Sequence, residues 1–546
     1  MSHFSPFGFF AQFYNKIGSL WKSSVKLEAS RKATGQEPIV CGPCLSDLFV
    51  ISKYGNSRVF AFGVFSFLDK RPNKRNTNGQ ITETNKAKQP KRVDKNVIRG
   101  YNIFCKECIC LQGQITQMEA YFMKEYKKRI ADELIKKKLK GKGAVLVEGP
   151  KWCGKTTTSE VLSKSVLYMS KPDSLKQNVM LADISPSLLL EGEIPRLIDE
   201  WQIAPKLWDA VRYKVDHRNE EGQFILTGSA VSVKPDEIQH TGTGRFAWIM
   251  MRPMSLFESG ESNGNVKLTD LFKTPEKIAA INVLDLQRIA FLVCRGGWPR
   301  ATFMEDEVAL EQAYDYYNAI VNQDISRVDG VKRDIERVKT LMRSYARNQG
   351  AQISNAMLKA DMKANDVDYL DEDTVMSYVN ALKKIFVIED MPAWNPNLRS
   401  KTAIRTSDTR YYIDPSIAVA ALGIGPNDLI GDLETFGLLF ETMCIRDLRV
   451  YADALGGSVY HYRDKTGLEC DAVIHLRNGS YGLIEIKLGG DEAIQHGADT
   501  LKALEKKIDT DRMKAPAFLM VLTAVGDYAY RREDGIYVVP VGCLRD

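Results

Sequence analysis

GPKWCGKT, the eight residues from Gly149 to Thr156, decides the reading of this 546-residue chain. It satisfies the pattern G-x-x-x-x-G-K-[S/T] in full. It stands between the apolar run 143–148, which reads as a short buried strand, and the apolar-periodic segment 157–168. That strand, loop and helix setting is the one in which the pattern carries its chemistry. The glycines let backbone N–H groups curl around phosphates, Lys155 can reach the β and γ oxygens, and Thr156 offers its hydroxyl to Mg²⁺. The residues expected to hold a nucleotide are Gly149, Pro150, Lys151, Trp152, Cys153, Gly154, Lys155, Thr156 and Thr157.

A phosphate loop alone suits a kinase or a binding switch as well as a hydrolase, so the carboxylates downstream matter. Residues 195–200, PRLIDE, read as an apolar strand ending in two acids. Asp199 can hold the shell of the metal, and Glu200 can orient and deprotonate the attacking water. Such a pair in a plain surface turn carries no chemistry; its place some 40 residues after the loop favours the functional reading. A third strand, 223–229, ends in Thr227 and Ser229, both candidates to sense the γ-phosphate. Next, HTGTGR places Arg245 on a glycine loop. An arginine there suits charge stabilisation from a neighbouring subunit, which makes a homo-oligomer the expected state. The bland alternative for Arg245 is a solvated surface cation.

GPKWCGKT, PRLIDEWQ, FILTGSA, TGTGR and MRPMSLFE, in this order and spacing, resemble the AAA+ ATPase module of a large, poorly characterised family of bacterial and archaeal ATP-binding proteins. Members of that family carry a C-terminal domain of unknown function, and GGWPRA, residues 296–301, resembles its lid segment. The resemblance covers about residues 118–546 and implies an α/β fold with ATP and Mg²⁺ as cofactors. The expected order is a P-loop AAA+ core over 118–259, a helical lid over 260–334, a winged-helix-like part over 335–430 and a nuclease-like α/β part over 431–546. One lid arginine is expected to sense the nucleotide, with Arg288, Arg295 and Arg300 all open.

In the winged-helix-like stretch, a helical pattern over 373–384 precedes a short strand at 385–389. Val375, Tyr378, Val379 and Leu382 mark its buried face, leaving Lys383, Lys384, Arg399, Lys401 and Arg405 for a DNA backbone. A packing or oligomerisation role without DNA is the alternative, because this half of the chain is not basic.

Nearer the C-terminus, a helix opens at 437–441 and continues to Leu448, and two strands follow around Asp471 and around Glu485 and Lys487. Asp471 with Glu485-x-Lys487 matches the PD-(D/E)XK nuclease core. Residues two apart on a strand share a face, so Glu485 and Lys487 converge with Asp471 on the paired strand. Two carboxylates there can bind Mg²⁺, Lys487 can position or activate water, and Glu441 can complete the metal site. Cys470 stands where that motif has proline. An exposed, salt-bridged hairpin is the structural alternative, and fold alone does not grant cleavage.

Composition bounds these readings. Hydrophobic residues at 44% and charged ones at 26% describe a folded globular chain and exclude collagen and wholesale disorder. The strongest apolar stretch, 515–525, contains Pro516 and is too short to span a bilayer, so no membrane association through a span is expected. The net charge of +6 is uneven: residues 1–117 hold 18 basic and 7 acidic side chains, residues 118–546 hold 57 and 62. Within the first part, an apolar stripe from Phe9 to Trp21, a polar basic tract over 70–99 and the pairs Cys41/Cys44 and Cys105/Cys108 stand out. The pairs are too far apart for a zinc ribbon, and no strand and helix context supports a redox pair. The expectation is a native start at Met118, preceded by an appendage, and a reducing, cytoplasmic setting.

Overall fold

A computed structural model describes residues 126–218, 220–230, 238, 240–364, 371–395 and 407–546. All lie in the compact unit Asn102–Asp546. The N-terminal stripe, the basic tract, both cysteine pairs, Met118, Arg399, Lys401 and Arg405 fall outside the described residues.

Helix α1 (Ile130–Leu139) leads into β1 (Ala144–Glu148), the phosphate loop and α2 (Lys155–Val161). Strands β2 (Ser165–Tyr168), β3 (Arg196–Asp199), β4 (Phe224–Gly228) and β5 (Phe246–Met250) complete a parallel sheet of order β2-β3-β4-β1-β5. Alternate residues of each strand feed two cores. Ala144, Leu146, Ile198, Leu226 and Phe246 pack on one face with Trp201 and Trp208. Val145, Val147, Leu197, Ile225 and Ile249 pack on the other with Ile135 and Leu139 of α1. A sheet buried on both faces explains the near-continuous apolar runs seen in the sequence.

The periodic segment after the loop is shorter as a helix than its apolar spacing suggests. Leu162 and Ser163 turn back onto Ser159 and Glu160, and Ser165–Tyr168 pairs with β3 as an edge strand. Val166 and Leu167 belong to that strand; a short apolar run is ambiguous between the two periods.

Beyond the first sheet, the chain forms the two-residue strands β6 (Val266–Lys267) and β7 (Ala280–Ile281), then α3 (Leu286–Arg295), α4 (Asp306–Ala319), a π-helical turn (Ile320–Asp324), α5 (Ile335–Arg347), α6 (Asn355–Ala364) and α7 (Glu372–Lys384). The strand expected at 385–389 reduces to a single bridge between Ile388 and Tyr412. Ile385 caps α7 and Phe386 adopts φ 58°, so the helix exit consumes the residues that would have extended. A second bridge, Met391 with Thr409, continues this short antiparallel contact.

The long helix α8 (Leu433–Leu455) precedes β8 (Gly457–Arg463), β9 (Glu469–Leu476), β10 (Tyr481–Lys487), α9 (Asp491–Lys507) and β11 (Phe518–Thr523). Antiparallel pairing joins β8 to β9 and β9 to β10, whereas β10 and β11 run parallel. Two further strands, β12 (Tyr528–Arg531) and β13 (Tyr537–Pro540), extend the sheet.

The region expected as a helical lid is not purely helical. Ala280–Ile281 pairs with β12, and Val266–Lys267 pairs with Leu544–Arg545 at the far end of the chain. Strands of two residues have no period to betray them in sequence. One hydrophobic core runs continuously from Leu256 to Leu544 through α3 to α8 and one face of the seven-stranded sheet, while α9 packs on the other face in a separate core with Leu483, Leu501 and Val521.

Candidate functional site

The phosphate loop sits at the C-terminal edge of the parallel sheet, where Asp199 is in register with Thr227 and Glu148 with Gly228. Ligands in open α/β sheets bind at this edge. Gly149 has φ 151°, and a Cβ there would stand 2.1 Å from the Met251 carbonyl oxygen, so only glycine fits. Gly154, at φ 99°, caps α2. The buried Arg129 guanidinium donates to the Cys153 carbonyl at 2.7 Å and to the Arg252 carbonyl at 2.7 Å, and pairs with Glu258 at 3.1 Å. The loop is therefore clamped from behind by the residue that precedes α1.

Lys155 is buried, its ammonium donating to the carbonyls of Gly149 at 2.9 Å and Pro150 at 2.7 Å. Thr156 Oγ1 donates to Asp199 Oδ1 at 2.7 Å, and Thr227 Oγ1 donates to the same oxygen at 2.7 Å. Glu200 follows in a left-handed conformation, φ 57°. Its carboxylate accepts from Ser229 Oγ at 3.0 Å and from the Gln202 amide, while its backbone N–H donates to Thr227 Oγ1 at 3.2 Å. A left-handed non-glycine residue stores strain that recurs at working sites.

A cavity of about 640 Å³ opens over the loop. Lys151, Trp152, Gly154, Lys155, Thr156, Thr157, Glu200 and Ser229 line it. The side chain of Cys153 points away, buried, toward the Met251 carbonyl at 3.2 Å. Gly149 and Pro150 meet Lys155 through their carbonyls. Of the three lid arginines, Arg300 lines the cavity; Arg288 and Arg295 are drawn to Glu261 at 3.0 and 2.5 Å. Tyr126, Lys127 and Arg129 also line it, and no motif marks them, because they reach the loop only through the fold.

Arg245 lies elsewhere. It precedes β5, whose first residue is in register with Ala144, the first of β1, so it occupies the edge of the sheet opposite the loop. There it pairs with Asp216 at 2.8 Å. Any contact it makes with a phosphate loop belongs to another copy.

Near the C-terminus, β9 and β10 bring Asp471, Glu485 and Lys487 together. Lys487 Nζ stands 3.1 Å from Asp471 Oδ2 and 2.7 Å from Glu485 Oε2, and the Ile486 N–H donates to Asp471 Oδ2 at 2.7 Å. Glu441 faces this cluster from α8 and accepts a hydrogen bond from the Tyr411 hydroxyl. Burial, reinforced by the Asp471 charge, pushes the Glu441 and Glu485 carboxyls up to about 8. Burial works against the Lys487 ammonium, but Asp471 and Glu485 outweigh it and hold the lysine above its ordinary range. Cys470 points inward, its thiol toward the Ile484 carbonyl at 3.4 Å.

The expected metal cradle of Glu441, Asp471 and Glu485 is not assembled. Among the described residues, no group of three or more His, Cys, Asp or Glu side chains is arranged to hold a metal ion. Lys487 bridges two of the carboxylates instead, and Tyr411 engages the third. As arranged, this cluster does not fit a divalent cation, although Glu485 Oε1 is buried without a hydrogen-bond partner. The phosphate loop differs: a threonine hydroxyl and a carboxylate set oxygen to oxygen are the protein ligands that Mg²⁺ takes beside phosphates.

On the stretch expected to be winged-helix-like, the first turn of α7 exposes the acids Glu372 and Asp373, and its last turn carries Lys383, paired with Asp390 at 2.6 Å, and the exposed Lys384.

Comparison with known proteins bears on the loop. Residues 141–259 match a family model described as an AAA domain. This segment is similar to P-loop ATPase domains of the AAA type. Residues 286–428 and 436–544 match two further models, both described as domains of unknown function, DUF8612 and DUF4143. The uncharacterized proteins Rv2008c of Mycobacterium tuberculosis and Mb2031c of Mycobacterium bovis are each 25% identical over 350 residues, 63% of this chain and 70% of theirs. Among solved structures, the Walker-type ATPase PABY2304 of Pyrococcus abyssi is 13% identical with a TM-score of 0.34, covering 54% of this chain and 96% of that one. A RuvB variant of Thermotoga maritima is 17% identical with a TM-score of 0.23, covering 48% and 88%. The Aeropyrum pernix ORC1 protein, solved in complex with DNA, is 13% identical with a TM-score of 0.20, covering 56% and 91%. No described helix is long and apolar enough to cross a membrane.

Proposed function

We propose that the chain is a Mg²⁺-dependent ATPase whose hydrolysis drives or gates a DNA-directed C-terminal half. The observation that carries the first part is the chain of contacts from Thr156 through Asp199 to Thr227, with Glu200 beside it. The loop amides and Lys155 bind the β- and γ-phosphates. Thr156 and Asp199 would hold Mg²⁺, which would supply positive charge beside the phosphate oxygens. Glu200, fixed by Ser229 and Gln202, orients water toward the γ-phosphorus and takes its proton, giving ADP and phosphate. Arg300 reads the phosphates from the lid, and Arg245 serves the loop of a neighbouring copy in a homo-oligomer.

The second part rests on the C-terminal order of helix, three antiparallel-paired strands, helix and parallel strand, with Asp471 on the second strand and Glu485 and Lys487 on the third. This order supports the likeness to the PD-(D/E)XK nuclease core, in which Lys487 would be the group to meet a backbone phosphate. A second reading has its own support. The bridging of Asp471 and Glu485 by Lys487, and the pairing of Lys383 with Asp390, favour an ATP-gated protein-interaction switch on an inert nuclease-like scaffold.

The test incubates the full-length protein with supercoiled, linear and branched DNA in Mg²⁺ or Mn²⁺, with and without ATP. Cutting that vanishes in Lys487→Ala establishes a nuclease, and the effect of Lys155→Ala shows whether ATP turnover licenses it. ATP hydrolysis without cutting or salt-dependent DNA binding removes the DNA-directed reading and leaves the switch.

A further inference from the structure

Two residues of the phosphate loop reach out of it toward one downstream helical segment. Lys151 Nζ lies 2.6 Å from Asp324 Oδ1. Trp152, left-handed at φ 66°, sets its ring 5.5 Å from that of Tyr316, which packs 4.4 Å from the ring of Trp298. Tyr316 belongs to α4, and Asp324 ends the π-helical turn that follows it. Such turns are rare and recur at functional sites.

The partners of the ion pair are placed unequally. The Asp324 side chain is 10% exposed, whereas that of Lys151 is 44% exposed and lines the cavity beside Lys155 and Thr156. One ammonium therefore stands between two anionic claims: the nearly buried carboxylate and whatever phosphates enter the cavity. Lysine is a point charge on a flexible four-carbon stem, so it can turn from one to the other without moving the loop backbone. A carboxylate deprived of its cation in a poorly hydrated place is destabilised. The segment carrying Asp324 is then biased to move toward water.

We propose that Lys151 is an exchangeable contact of the loop: Asp324 holds it in the absence of a nucleoside triphosphate, and the triphosphate takes it over on binding. Triphosphate binding thereby cuts the charge link between the loop and the helical segment 306–327, leaving Trp152 against Tyr316 as the pivot. The inference rests on the reading that this loop holds a nucleoside triphosphate.

The test measures binding of ATPγS and ADP to the full-length chain in Mg²⁺, for wild type, Asp324→Asn, Lys151→Met and the double variant. Removing the competing charge is expected to tighten ATPγS about two- to fivefold in Asp324→Asn, the upper part of the range for a partly exposed pair, while ADP changes less than about 1.5-fold. Asp324→Asn preserves shape, and its unfolding midpoint checks that it does. Lys151→Met weakens ATPγS, and adding Asp324→Asn to it brings no further gain, the signature of two residues acting through one contact. If the ratio of ATPγS to ADP affinity is unchanged in Asp324→Asn, or if the gain persists without Lys151, the exchange does not occur. If wild type binds neither nucleotide, the loop reading fails as well, a result distinct from normal binding with an unaltered ratio.

Discussion

Glu485 carries a prediction that follows from its surroundings alone. Its carboxyl is held at about 8 by burial and by the Asp471 charge, whereas in the unfolded chain a glutamate ionises near 4.3. Between those values the native chain binds more protons than the unfolded one. The contribution to stability is thus full in acid and is lost as pH rises through about 8. Glu485→Gln keeps the shape and cannot ionise, so its unfolding midpoint relative to wild type is expected to climb as pH is raised from about 5 to about 9. A flat or falling difference in thermal melts across that range would contradict the burial of this carboxyl. At this scale much was legible. Asp199, Glu200, Asp471, Glu485 and Lys487 lie at short, periodic spacings that place them on one strand end or one strand face. Arg129, Gln202 and Tyr411 were not, because an arginine that clamps residues 24 and 123 positions away leaves no local pattern.

Whole elements are joined by charges more than by their own propensities. Arg252, in the segment leaving β5, pairs with Glu389 beyond α7 at 2.5 Å and with Asp453 on α8 at 2.6 Å, and Arg449 of α8 meets Glu389 at 3.3 Å. Burial works against the Glu389 charge, yet the two guanidiniums win and hold its carboxyl at about 2. That depressed value stabilises the fold above the ordinary carboxylate range and is lost as pH falls through about 2. Arg252→Met strips Glu389 of its nearer cation. The expected cost at neutral pH is about 3–5 kcal/mol, the scale for breaking a buried pair. It is expected to narrow as pH falls from about 5 toward 3, because the stranded carboxylate then takes a proton. Urea midpoints of both proteins at several pH values measure this; equal losses throughout would assign the effect to packing instead. The sequence motif MRPMSLFE marked Arg252 only by resemblance, and its partners lie 137 and 201 residues away. The strand lost at 385–389 belongs to the same lesson: Phe386 turns left-handed to bring Glu389 round to Arg252, and residue-type preference does not report that turn.

For the molecule as a whole, the sequence suggested a lid, a winged-helix-like part and a C-terminal α/β part in succession. Motifs and helical periods are local, so they order such parts along the chain without showing which of them share an interior. The core from Leu256 to Leu544 is continuous, and the segment 266–281 contributes strands that pair with β12 and with Leu544–Arg545. Parts that share one interior unfold together. Ending the chain after Ile430 would strip α8 and the sheet from that core, exposing Leu341, Ile417 and Leu429, all buried. Residues 260–430 would then lose protection against proteolysis, while the parallel sheet with its two separate cores would survive as a resistant fragment. Limited proteolysis followed by mass spectrometry distinguishes the outcomes. A fragment spanning about 260–430 that resists digestion without the C-terminal part would mean that the lid and winged-helix-like regions fold on their own. Coupling between the phosphate-loop part and the C-terminal half would then have to pass through discrete contacts, such as Arg252 with Glu389 and Asp453 and the Leu256 N–H with Asp447, rather than through a common interior.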